Sequence, residues 1–288
     1  MAIYGRDGTE LISAYSAGGL ELDEAYASDG TLAFVRDRAL KVMTYNVGSW
    51  YDGGHDIVPA EKDEQYYALQ RAIIRQNNPD IMFMNEYTKR FSKMGRTSLS
   101  LLQEFFPYIH EQGGDSDTVT SGRCIASKFP ISNYTVRPFN DGSGYYYDSC
   151  TVTIKNVAYN LVITHLHWDN RTLRTSEMST IMSLVSGYER FILAGDFNTS
   201  DCFDTSGADY IAVVKPLVDA GYHVSNCGDF GFIETYFQEP TGTWHGVLDN
   251  TVTSSNMTTI DVYADETKLN DELTDKIDHL PLVTTIEL

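Results

Sequence analysis

The chain is poor in cysteine. Its four residues of this type, Cys124, Cys150, Cys202 and Cys227, lie too far apart for the close pairs of a zinc site and are too few for a disulfide scaffold, so buried free thiols are the expected state. It is also poor in positive charge, with 21 Lys and Arg against 40 Asp and Glu, a net charge of −19. Such a surface repels a polyanion unless cations or a local basic patch offset it, which argues against tight, sequence-specific duplex binding. An acidic protein can still hydrolyse phosphate esters when divalent metals supply the positive charge that its side chains lack. Long apolar runs are missing too: none approaches the roughly 20 residues of a membrane helix. The opening stretch MAIYGRDGTE has no basic segment followed by an apolar one. No membrane span and no export signal are therefore expected, which leaves a cytoplasmic or virion-associated location open.

What is present is enough apolar material for a sizeable core: 42% of 288 residues are hydrophobic, suiting one large domain or a domain with an appendage. Residues 1–38 carry a repeat. Tyr4, Tyr15 and Tyr26 are eleven apart, as are Gly8, Gly19 and Gly30, and Leu11 and Leu22 keep step with them. Asp7-Gly8 and Asp29-Gly30 are turn signals, so short strands joined by tight turns are expected rather than a helical coil. A unit of that kind buries little by itself. It is expected to pack on a partner, on a second copy or on the main domain as an attachment or oligomerisation module.

From residue 39 to 288 the texture becomes strands alternating with amphipathic helices. Leu40 to Tyr45 reads as a strand delivering Asn46 at its end. Residues 61–77 read as a helix with Tyr66, Leu69 and Ile73 along one face, acids in its first turn and Pro79 beyond. Ile81-Met82-Phe83-Met84 is a continuous apolar strand ending in Asn85-Glu86. Leu161 to Thr164 ends in His165, and Met178, Ile181, Met182 and Val185 mark the next helix, stopped near Gly187. Phe191-Ile192-Leu193-Ala194 then runs into Gly195, Asp196 and Asn198. If that segment stays extended, Asp196 and Asn198 point the same way; the other reading is an Asx turn in which they bond nearby backbone. Val247-Leu248 leads into Asp249, and Asp278-His279 precede the strand from Leu282 to Ile286. Repeated delivery of an acid, amide or imidazole to a strand edge points to one shared site.

Asn46, Glu86, His165, Asp196, Asn198, Asp249, Asp278 and His279 form a kit for metal-assisted phosphoester hydrolysis, and oxygen donors suit Mg2+ or Mn2+. The motifs MTYNV, DIMFMNE, ITHLH, AGDFN, LDNTV and IDHLPLV resemble, in content and order, the endonuclease/exonuclease/phosphatase (deoxyribonuclease I-like) superfamily over residues 40–288. The resemblance implies an α/β (α+β) fold, a four-layer sandwich of two mixed β-sheets flanked by helices, here with a short N-terminal β-repeat appendage. It implies a magnesium-dependent phosphodiesterase, nuclease or phosphatase acting on nucleic acid or a small phosphodiester. Glu86, with Asn46 and Asp278, then looks like the metal site. Asp196 looks like the group that orients or deprotonates the attacking water, with Asn198 holding that water or the phosphate. His165 and His279 would stabilise phosphoryl oxygens, and Asp249 would orient His279 and favour its cationic form.

Other residues stay open between two readings. Asp249 could be a turn residue. His167, Trp168, Arg171 and Arg174 could form a substrate-facing rim or serve as surface packing. Lys89, Arg90, Lys93 and Arg96, the densest basic run, could steer a phosphate or be a solvated loop. Asn85 stands where many family members carry glutamine, and no phosphate-binding arginine aligns within residues 145–153. Nor are there the long basic or aromatic insertions that identify abasic-site recognition. The competing function is a structural or adhesion protein of a phage or surface assembly that carries the hydrolase fold as a binding module.

Overall fold

The computed structural model describes residues 39–47, 62–88, 95–113, 122–236, 246–267 and 278–288, and, as backbone only, short strands elsewhere. By its contacts the chain divides into two units, Met1–Ala39 with Glu287–Leu288, and Leu40–Ile286. In the first unit, strand β1 (Ala14–Tyr15) pairs antiparallel with β2 (Glu21–Leu22), and β3 (Glu24–Tyr26) with β4 (Leu32–Val35). The turn dipeptides Asp7-Gly8 and Asp29-Gly30 lie outside the described residues.

The second unit is built on two mixed six-stranded sheets. The first contains β5 (Ala39–Asn46), β6 (Ile81–Asn85), β7 (Tyr108–Gln112), β8 (Arg123–Ser127), β17 (Thr258–Ala264) and β18 (Leu282–Glu287), in the order β7-β8-β6-β5-β18-β17. The second contains β9 (Ile131–Pro138), β10 (Tyr146–Ile154), β11 (Val157–His165), β12 (Phe191–Asp196), β13 (His223–Val224) and β16 (Asp249–Thr253), in the order β9-β10-β11-β12-β16-β13. A separate pair joins β14 (Phe237–Gln238) to β15 (Thr243–Trp244).

Strand periodicity explains the layering, because successive side chains leave a strand on opposite faces. Leu40 and Val42 of β5, Ile81 and Phe83 of β6, Leu161 and Ile163 of β11, and Ile192 and Ala194 of β12 share the core between the sheets. Their neighbours Met43, Tyr45, Met82 and Met84 face outward and are covered by helix α1 (Asp63–Asn77), through Tyr66, Leu69 and Ile73, and by α2 (Ser98–Leu102). On the far side, Val162, Phe191 and Leu193 pack under Met178, Ile181 and Val185 of α3 (Arg171–Val185) and Leu217 of α4 (Lys215–Asp219). With both faces covered, these strands must be apolar at nearly every position. The order helix, sheet, sheet, helix is the expected four-layer sandwich.

Two connections set the polar edge. β5 lies parallel to β6, with Asn46 beside Asn85, and β11 lies parallel to β12, with His165 beside Asp196. β16 runs antiparallel to β12 and pairs Asp249 with Asp196. One edge of the sandwich therefore collects the ends of β5, β6, β11 and β12 together with the start of β16.

Candidate active site

Asp196 ends β12 immediately after Gly195, whose φ of 141° brings the backbone so close to β11 that a Cβ would stand 1.9 Å from the Thr164 carbonyl oxygen. Only glycine fits there. Asp196 Oδ1 accepts from the Asn198 backbone N–H at 2.8 Å, an Asx turn with Asn198 in the left-handed region at φ 53°. The two open readings of this segment thus resolve together: the turn forms, the chain is not extended, and the turn leaves Asp196 Oδ2 to the site. Around Oδ2 stand Asn46 Nδ2 at 3.1 Å, His165 Nε2 at 3.4 Å and His279 Nε2 at 3.6 Å.

Asn85, whose position suggested only a small departure from the family pattern, joins the sheets. Its Oδ1 accepts from the Asp196 backbone N–H and its Nδ2 donates to the Thr164 carbonyl, both at 3.0 Å. Glu86 follows in the left-handed region at φ 53°. A non-glycine residue held there costs on the order of 1–3 kcal/mol. One fully buried Ile or Phe of the adjoining core contributes roughly 1.5–3 kcal/mol, so the surrounding structure easily carries this strain.

Glu86 Oε1 accepts from Asn46 Nδ2 at 3.0 Å, while Oε2 is buried with no hydrogen-bond partner among the described residues. Burial, and then the charge of Asp278, push the Glu86 carboxyl up to about 8. A desolvated acceptor beside a second carboxylate is suited to a cation. Among the described residues no three His, Cys, Asp or Glu side chains are gathered as a ready metal cage. The Glu86 and Asp278 carboxylates suit a hard divalent cation, and Asn46 would join them through Oδ1, since its Nδ2 donates to Glu86 and Asp196.

The surroundings push the two histidines in opposite directions. Burial, only partly countered by Asp196, holds His165 below the ordinary imidazole range. Burial would also lower His279, but Asp249, Asp196 and Asp278 overcome it and raise the imidazole to about 10. Its Nδ1–H donates to Asp249 Oδ2 at 2.7 Å. Asp249 is therefore a strand residue bonded to His279, and its backbone N–H donates to Thr235 Oγ1 at 3.1 Å.

These groups open onto a cleft of about 580 Å3 lined by Glu86, Tyr145, His165, Trp168, Asp196, Asn198, Ser200, Tyr236, Leu248, Asp278 and His279. Tyr236 meets His279 edge-on at 5.4 Å between ring centres, and Tyr145 meets His165 edge-on at 6.1 Å. A groove of about 640 Å3 along α1 is slightly larger, but it shares no residue with the cleft and mixes Arg71, Arg75 and Arg96 with Glu64 and Glu104.

The rim candidates, left open between substrate contact and packing, separate in the structure. Trp168 lines the cleft and is 68% exposed. Arg171 does not line it: Nε donates to Asp209 at 2.7 Å and Nη2 to Asp201 at 2.9 Å. Arg174 is buried and donates to the carbonyls of His167 and Trp168 and to Asp209. His167 stacks on Tyr145 at 4.9 Å and pairs with Asp169 at 3.0 Å. Asn198 lines the cleft, but its Nδ2 donates to the Leu166 carbonyl at 2.7 Å. Arg96 sits over the Tyr67 ring, and Lys89, Arg90 and Lys93 lie outside the described residues.

Tyr145, Tyr236, Ser200 and Thr235 were not legible as site residues, since only tertiary closure brings them here. Arg123 lies outside the cleft lining. It is buried on β8, and its Nε and Nη2 donate to Asp148 Oδ1 at 3.0 and 2.8 Å.

A sandwich of two mixed sheets whose polar strand ends converge on an edge cleft defines an α/β class with its site at the sheet edge. The chain belongs to the Endonuclease/Exonuclease/phosphatase family, whose model matches residues 43–275. No curated protein matches it. Among solved structures the fold is similar to truncated Caenorhabditis elegans TDP2, with 16% identity, TM-score 0.63, and coverage of 87% of this chain and 98% of that one. It is also similar to the Neisseria 3′ phosphatase NExo bound to a product DNA hairpin, at 16% identity and TM-score 0.62, covering 85% and 98%. An AP endonuclease from Archaeoglobus fulgidus aligns at 15% identity and TM-score 0.60, covering 86% and 100%.

Proposed function

We propose that this protein is a divalent-metal-dependent phosphoesterase that hydrolyses a phosphodiester, in nucleic acid or a small molecule, by attack of an activated water. One observation carries the reading: Asp196 Oδ2 is ringed by Asn46, His165 and His279, beside a buried carboxylate of Glu86 whose Oε2 has no partner among the described residues. Family membership and a fold shared with a 3′ phosphatase and an AP endonuclease support it.

In this reading Glu86 and Asp278, with Asn46 through its Oδ1, would hold Mg2+ or Mn2+, which would supply Lewis acidity and neutralise phosphate charge. Asp196 orients the attacking water and takes its proton as negative charge moves onto the phosphoryl group. His279, kept cationic by Asp249, donates from Nε2 to a phosphoryl oxygen, where charge grows in the transition state. His165, neighbouring Asp196, would serve as a second donor by turning its Nε2–H from that carboxylate to the phosphoryl group. Asn198 fixes the turn that aims Asp196, and with one amide N–H on the Leu166 carbonyl it keeps the other for the phosphate or the water. Trp168 and Tyr236 present ring surface at the mouth, suited to flat or apolar parts of a substrate.

The test is a hydrolysis screen against plasmid DNA, RNA, bis-p-nitrophenyl phosphate, sphingomyelin and inositol phosphates, with magnesium, manganese or EDTA. Turnover of at least one substrate should require metal, and Glu86→Gln should lower it by orders of magnitude at limiting magnesium while leaving the fold intact. Near wild-type turnover in that variant would remove Glu86 from the metal site. A protein with no activity on any substrate would favour the binding-module reading.

A further inference from the structure

The four cysteines divide into two kinds. Cys124 lies in the core beneath α1, and Cys150 lies between the sheets, in separate clusters. Cys202 and Cys227 share the core beneath α3, both buried, with their Sγ atoms 2.7 Å apart across 25 residues of chain. That is closer than two unbonded sulfurs rest and approaches the roughly 2.05 Å of a covalent bond. Each cysteine is fixed by its own turn. Cys202 N–H donates to the Thr199 carbonyl at 3.0 Å, and Thr199 Oγ1 donates to Val247 O at 2.5 Å. Cys227 sits at φ 65°, its N–H donating to Gly231 O at 2.7 Å. Its neighbour Asn226 donates to the Asp249 carbonyl at 3.0 Å.

We propose that Cys202 and Cys227 form a disulfide that ties the loop after Asp196 and Asn198 to the turn supporting Asp249. Making it removes two protons and two electrons from the thiols, so an oxidant must accept them. A small disulfide such as oxidised glutathione suffices. One cysteine thiolate attacks it and releases one glutathione thiolate, and the second cysteine thiolate then attacks the protein sulfur of the mixed disulfide and releases the other. Burial, and then the neighbouring Cys202, push the Cys227 thiol far above its ordinary value. The folded, reduced pair is therefore a poor nucleophile, and the bond forms while the chain folds. Once enclosed it is shielded from small reductants.

The full chain is unfolded in denaturant with reductant, refolded with excess oxidised glutathione, then alkylated in fresh denaturant without reductant and digested. The expected map has a linked Cys202–Cys227 peptide pair with Cys124 and Cys150 alkylated. The oxidised protein should melt about 5–10 °C above the reduced one, the scale for closing a loop of this size in a domain this large. Cys227→Ala should abolish the linked pair and make melting indifferent to oxidation. Should that variant fail to fold, the wild-type peptide map still decides. Four alkylated cysteines, stable glutathione adducts without a link, or a bond involving Cys124 or Cys150 would overturn the proposal.

Discussion

Asp249 does not line the cleft, and in the proposed reading it acts on the site through His279. Its carboxylate is buried, accepts from His279 Nδ1 and is the main favourable influence on the charge of that imidazole. Asp249→Asn should therefore lower turnover together with His279→Ala, the latter by roughly a hundredfold or more, the scale of removing one transition-state donor. The double variant should fall little below the worse single one, because the two act as a unit. Multiplicative losses would separate them.

Glu177 gives the pH prediction. It is buried on α3, its Oε2 accepts the His167 backbone N–H at 2.8 Å, and Asp141, Ser143 and Arg174 face it. Burial is the first cause that raises its carboxyl from 4.5 to about 7. Below the lower value both folded and unfolded chains carry the proton. Between the two values the unfolded chain releases it and the folded chain keeps it, so stability falls as pH rises through that window and levels off above it. Glu177→Gln removes this titration. Its melting temperature relative to wild type should climb between about pH 4.5 and 7, by the equivalent of about 1–2 kcal/mol after discounting for screening. Parallel pH curves for the two proteins would contradict the assignment.

At the scale of the element, strand ends carried the legible signal. Continuous apolar runs such as Ile81 to Met84 and Phe191 to Ala194 meant coverage on both faces, and polar residues following them could reach only an edge. The rim was not legible in the same way. Trp168 precedes α3 by three residues and Arg171 opens it, yet Arg171 turns to Asp209 and Asp201 while Trp168 faces the cleft. Partners contributed by distant segments decide such cases, and composition gives no sign of them. Asn85 is another instance, since one side chain satisfies two buried backbone groups of the opposite sheet. Asn85→Ala should cost about 2–4 kcal/mol, the sum for two orphaned backbone groups, and lower turnover by loosening Asp196. Chemical denaturation and kcat of the same preparation check both. Gly195→Ala should be more severe, with little folded protein recovered, because its Cβ would overlap the Thr164 carbonyl and φ 141° suits no L side chain.

For the whole molecule, the two-sheet sandwich was legible because its motifs occur in family order, whereas the relation of residues 1–38 to any partner was not. The repeat is expected to serve attachment, and all eight proposed metal and catalytic residues lie beyond it, beginning at Asn46. A chain starting at Ala39 should keep its specific activity and sediment differently from the full chain. Unfolding of the truncated chain would place the repeat in the catalytic core, and unchanged sedimentation would remove the reason to call it an attachment module. The net charge of −19 bears on substrate as well: hydrolysis of a polyanion should depend more steeply on the metal concentration than hydrolysis of a small diester.

The central claim is that Asp196 acts on the attacking water while Glu86, Asp278 and Asn46 hold the cation. It is tested most directly by measuring magnesium affinity calorimetrically and metal-dependent hydrolysis of bis-p-nitrophenyl phosphate, or of the best substrate from the screen, for wild type and Asp196→Asn. Affinity within a few-fold of wild type with turnover reduced at least a thousandfold is the expected result. Retained hydrolysis in the variant, or loss of metal binding as complete as in Glu86→Gln, would contradict that division of roles.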